Sequence, residues 1–83
     1  MPELFRFFGY VFFFYSREHE PIHVHVEGNG GEAKYSLDEQ TGLFVLQHSV
    51  GIKANDLKKI ERIITDNTAI IKQAWKVYFN EDD

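Results

Sequence analysis

An α+β fold is predicted: a small antiparallel sheet of four or five strands, covered on one face by a long C-terminal helix. Three observations carry it. Apolar residues recur at the two-residue spacing of strands up to Ser49, they recur three and four apart from Ala54 onward, and the character of the chain changes once, near Gly51. Strands followed by helix segregate into an α+β layer pair.

The first segment, Leu4 to Tyr15, is aromatic at eight of its twelve positions. Such residues favour strands. Gly9 interrupts the run, which predicts a hairpin turning around Phe8-Gly9-Tyr10. In its second arm Val11, Phe13 and Tyr15 share one face, and Phe12 and Phe14 the other. Both faces are apolar, and one helix covers only one of them. A second subunit or a protein partner is expected on the other, through this aromatic hairpin.

Ser16 to Pro21 is a polar loop closed by proline. Ile22 to Glu27 alternates strictly, with Val24 and Val26 on one face and His23, His25 and Glu27 on the other. Gly28-Asn29-Gly30-Gly31 is a turn, since it lacks the frame of a phosphate-binding loop and leads into a strand. Glu32 to Leu37 pairs back as the next strand, and Leu43 to Ser49 forms the last. In the helical part Leu57, Ile60, Ile64, Asn67, Ile71, Ala74 and Tyr78 form an apolar stripe, widened by Ile63, Ile70 and Val77. Asp66-Asn67-Thr68 are weak helix formers, so the helix either continues through them or divides there. Trp75 is expected against the sheet aromatics. Residues 1–80 read as one domain and Glu81-Asp82-Asp83 as a frayed acidic tail.

Eighty-three residues bury about 60–65% of their unfolded surface. The chain has no cysteine, which removes disulfides, thiolate nucleophiles and thiolate metal ligands. Met1-Pro2-Glu3 lacks the basic start of a signal peptide, and the apolar run Phe7–Tyr15 falls short of the ~20 residues that span a bilayer. A cytoplasmic protein away from membranes is expected. The net charge of −4 argues against nucleic-acid binding by the isolated chain. Lys58, Lys59 and Arg62, with Lys72 and Lys76, form local cationic spots on a helix face otherwise expected to be solvated.

His23-Val24-His25-Val26 is the strongest chemical signal. Side chains two apart on a strand project side by side, so the two imidazoles can converge on one ligand. As an acid–base pair they would suit RNA cleavage, with Arg17 or Lys34 as the cation for the phosphate and Tyr15 or Tyr35 to stack or donate. As metal ligands they would need a third group from Glu27, His19 or His48 to hold zinc or another divalent ion. No other cofactor is implied. The cupin pattern fails, because Asn29 and Gly30 stand where its glutamate belongs. The plain alternative is that the histidines line a solvated sheet face with the valines in the core.

The strings Gly9-Tyr10, Phe12-Phe13-Phe14-Tyr15-Ser16, His19, Pro21, His23-Val24-His25-Val26-Glu27 and Ala33-Lys34 belong together. With Leu57, Lys59-Ile60-Glu61, Asn67 and Ala74-Trp75, they resemble the bacterial family catalogued as domain of unknown function 4160 over nearly the whole chain. Ile22 stands where many members carry a second proline, and Ala54 near another such position; neither departure touches the histidines. The resemblance implies no established activity. It implies a small bacterial protein, often encoded beside another small domain in a toxin–antitoxin-like arrangement, some members being labelled toxins or transcriptional regulators. Two functions follow as expectations: a component of such a pair that binds a small protein and acts on RNA, or a dimeric binding module in transcription regulation.

Overall fold

The computed structural model describes residues 3–15 and 21–79. Five strands form one antiparallel sheet in sequential order: β1 (Glu3–Phe7), β2 (Tyr10–Phe13), β3 (His23–Gly28), β4 (Gly31–Asp38) and β5 (Leu43–Val50). Two helices follow, α1 (Ala54–Asp66) and α2 (Thr68–Tyr78). The α+β architecture matches the reading from sequence, with five strands. The helical segment divides at Asn67, whose backbone leaves helical geometry at φ −117° and ψ 19°. Asn67 Nδ2 donates to Ile63 O at 2.8 Å, and Thr68 Oγ1 donates to Ile64 O at 2.9 Å. Side chains that bond back to the preceding turn compete with the helix ladder and bend it. The acidic tail lies outside the described residues. Among those described, no helix is long and apolar enough to cross a membrane.

Both helices lie on one face of the sheet. Tyr10, Phe12 and Phe14, Val24 and Val26, and Ala33 and Tyr35 meet Ile60, Ile64, Ile71 and Trp75 in a continuous buried core. The strand alternation sends the valines of the His-Val-His-Val segment into this core. In α2 the buried stripe is narrower than the periodicity suggests. Trp75 is buried, whereas Ile70 and Val77 are 56% and 70% exposed. Ile71 and Trp75 continue the stripe of Ile60 and Ile64 at helical spacing across Asn67, and Ile70 and Val77 lie to one side of it. Phe13 is fully buried although it faces away from the core. Within the chain it packs on Tyr15 and His25, so no second subunit is required to cover it.

The first two hairpins turn through residues of positive φ, Phe8 and Gly9 in one and Asn29 and Gly30 in the other. This is what two-residue turns matched to strand twist require. Phe8, at φ 36°, holds a conformation uncommon outside glycine and asparagine. Its ring lies edge-on to Tyr10, and Lys59 Nζ sits 5.5 Å from its centre.

Two tyrosines fasten α1 to the sheet. Tyr10 donates its hydroxyl to Asp56 at 2.9 Å, and Tyr35 donates to Glu61 at 3.0 Å. Burial pushes the Tyr35 phenol up, and the Glu61 carboxylate adds to the effect. Tyr10 is raised as well, chiefly by burial; the Asn29 side chain opposes this and Asp56 reinforces it. Unfolded tyrosines ionise near pH ~10, and the folded ones hold their protons to higher pH. Above pH ~10 the unfolded chain therefore binds fewer protons than the native one, and stability falls as pH rises. Urea midpoints measured from about pH 8 to 11 are expected to be level at first and then to decline. Tyr35→Phe is expected to cost ~1 kcal/mol at neutral pH, the net worth of one hydrogen bond, and to make the alkaline decline shallower.

Candidate functional site

The second face of the sheet is organised in rows, because opposed residues in antiparallel strands point the same way. One row runs across all five strands: Arg6, Val11, Glu27, Glu32 and Val50. The next holds Phe13, His25, Lys34 and His48. A third holds His23, Ser36 and Val45. β5 keeps this pattern through a bulge at Gln47, which brings His48 rather than Gln47 opposite Lys34.

The two histidines are side by side, with ring centres 5.1 Å apart. They are not on a solvated surface. His23 is 3% exposed and His25 9%. His25 stacks on Phe13, with centres 5.6 Å apart, and meets the edge of Tyr15 at 4.3 Å. His23 meets Trp75 of α2 at 5.1 Å. Its Nδ1–H donates to Pro21 O at 2.8 Å. In the neutral ring this leaves Nε2 as the acceptor and fixes the ring plane. The aromatic string before the loop and the His-x-His string after it are thus two walls of one cluster. His25→Ala, which strips two aromatic contacts and opens a buried space, is expected to cost ~2 kcal/mol in thermal or urea unfolding.

Of the other residues singled out in the sequence, Tyr15 touches His25, and Lys34 lies directly across from it on β4. His48 stands beyond Lys34, one strand further on, and is exposed. Glu27 occupies the neighbouring row. Tyr35 is a correction. It faces the helices, is buried, and gives its hydroxyl to Glu61, so the sheet separates it from the histidines. Strand alternation dictates this, since Lys34 and Tyr35 are adjacent and must point to opposite faces. Arg17 and His19 lie outside the described residues. Among the described residues, no three His, Cys, Asp or Glu side chains are grouped to hold a metal ion.

Two features were not anticipated from sequence. An open groove of about 710 Å³ lies at the turn end of this face, walled by Arg6, Phe7, Phe8, Val11, Glu27 and Glu32. Arg6 is committed there to Glu3, at 2.7 Å, which holds the Glu3 carboxyl below its usual range. In addition, Leu43, Val45 and Val50 of β5 are 54%, 46% and 62% exposed on this face. The cationic helix residues Lys58, Lys59, Arg62 and Lys76 are exposed on α1 and α2, with Lys59 Nζ over the Phe8 ring at the edge of the groove.

Residues 9–76 match the family described as Domain of unknown function (DUF4160). No curated protein and no solved structure matches the chain.

Proposed function

The chain belongs to that family of unknown function, and from this premise and its one-sidedly covered sheet we propose that it is the protein-binding component of a toxin–antitoxin-like pair in the bacterial cytoplasm. The observation that carries the reading is the second sheet face. Helices cover one side, while the other exposes Leu43, Val45 and Val50 beside Lys34 and His48. Apolar side chains ringed by polar ones are the usual make-up of a protein contact. The buried histidine cluster serves as the rigid base of this face. It holds Tyr15 in place rather than reacting itself, since two imidazoles under a tenth exposed do not reach a ribose without displacing their neighbours.

Co-expression with the product of an adjacent reading frame tests this. The expected result is a co-purifying complex that Lys34→Glu weakens at least tenfold, together with a growth effect when one member is expressed alone. No complex and no growth effect would sink the reading.

A second reading rests on Lys34 and His48, opposed on β4 and β5 at this face, an ammonium and an imidazole that suit a phosphate. It makes the same face an RNA contact. Retention of RNA that is lost in Lys34→Glu and falls steeply with salt would favour it over a protein partner.

A further inference from the structure

The two edges of the sheet are built differently. β1 is short and carries the Glu3–Arg6 ion pair. Those are devices that discourage a further strand from adding. β5, at the other edge, is eight residues long and carries no proline and no Asp, Glu, Lys or Arg. Its backbone also shows which groups face outward. Leu43 N–H donates to the Thr41 hydroxyl at 3.2 Å, and Val45 C=O accepts from the Gln47 side chain at 3.2 Å. Along an antiparallel strand the direction of the backbone groups alternates together with the side-chain face. The outward-facing residues are therefore those whose side chains lie on the second face: Leu43, Val45, His48 and Val50.

The bulge at Gln47 has an effect on this set. Without it the set would be Leu43, Val45, Gln47 and Ser49, symmetric about Leu46 itself. With it the set is symmetric about the midpoint between Leu46 and Gln47. An antiparallel copy of the same strand meets it with Leu43 opposite Val50 and Val45 opposite His48, each twice. All four outward residues are matched at once, no like charges oppose each other, and about eight backbone hydrogen bonds form, four of them in place of the side-chain bonds that Leu43 N–H and Val45 C=O make in the two copies. On the core side Phe44 meets Ser49.

We propose that two copies of this chain associate through β5, antiparallel about a two-fold axis between Leu46 and Gln47, into one continuous ten-stranded sheet. The two second faces then lie on the same side and form a single surface. This inference stands independently of the partner reading above. It also differs from a dimer through the aromatic hairpin, which the sequence suggested.

Cross-linking tests it, and the chain contributes no background because it has no cysteine. Hydrogen-bonded partners in an antiparallel pair have Cα atoms about 5.5 Å apart, within disulfide range. A mixture of Val45→Cys and His48→Cys variants, mildly oxidised, is expected to give a mixed disulfide dimer. Neither variant alone should do so, since Val45 does not oppose its own copy. Light scattering on the unmodified chain should give the mass of a dimer. Val45→Lys, checked for folding by circular dichroism, should raise the dissociation constant at least tenfold. A chain that stays monomeric at all attainable concentrations overturns the proposal. So does a dimer that cross-links through Val45→Cys alone, or one that resists Val45→Lys but is dispersed by Phe8→Asp.

Discussion

Replacing Trp75 with alanine is expected to lower stability by ~3–5 kcal/mol, the range for deleting a large aromatic side chain from a packed core. At the usual ~0.05–0.15 kcal/mol per residue, a domain of this length holds about 4–12 kcal/mol in total, so the variant sits at the edge of unfolding. The size of the effect follows from position. Trp75 has no exposed surface, and its ring meets Phe14 at 5.1 Å, Phe79 at 4.2 Å and His23 at 5.1 Å. It is the point where α2, the strand β3 and the residue after β2 come together. Removing it leaves a hole bounded by rings that cannot collapse without shifting backbone. With a slope of ~1 kcal/mol/M, the urea midpoint should fall by about 3 M or more. Val77→Ala, two residues away and 70% exposed, should change it by less than ~0.5 kcal/mol. If the two variants proved equally stable, the placement of α2 on the sheet would be wrong. Trp75→Ala should also loosen the histidine cluster, because it takes away the ring against which His23 is held.

The order and type of the elements were legible because they rest on local periodicity. Alternation through Val24 and Val26 specified which face of β3 enters the core, and the weak helix formers at Asp66-Asn67-Thr68 marked where the helix divides. The aromatic hairpin was legible as a hairpin, but its second face was read as needing an outside cover. Phe13 shows what that step leaves out: alternation tells which side a residue faces, and it does not tell what else in the chain returns to that side. The same gap explains the site. The pairing of His23 with His25 is local and was readable. Their burial among Phe13, Tyr15 and Trp75 depends on strand order and on a helix fifty residues away. Tyr35 was placed with the histidines on chemical type alone, where the parity of its position already excluded it. The bulge at Gln47 left no mark in the composition of β5. It is decided by the fit of β5 to β4, and it determines which residues face the edge.

Gly28→Ala is expected to destabilise the domain by ~3 kcal/mol, the upper part of the range for forcing an extra carbon into a packed site. Gly28 ends β3, opposite Gly31, and its φ is not positive, so its conformation alone would admit alanine. The objection is spatial. A Cβ there would run into the carbonyl oxygen of Gly9 and lie 2.8 Å from the Tyr10 ring. The contact is with backbone, in a turn whose own residues, Phe8 and Gly9, are held at positive φ, so relief requires the whole first turn to move. Gly31 is closed in the same way, its Cβ falling 2.6 Å from the Gly51 carbonyl oxygen. The turns at this end of the sheet are therefore packed backbone against backbone. Gly30→Ala separates this from ordinary turn strain. Gly30 has φ 81° and nothing within 4 Å of a Cβ, so it should cost only the ~1–2 kcal/mol of a side chain in left-handed geometry. Unfolding curves that rank Gly28→Ala well below Gly30→Ala in stability would establish that close approach, and not φ, sets the glycine at position 28. The reverse order would mean that the first hairpin does not lean on the end of β3, and the row from Arg6 to Glu32 that walls the groove would lose its alignment.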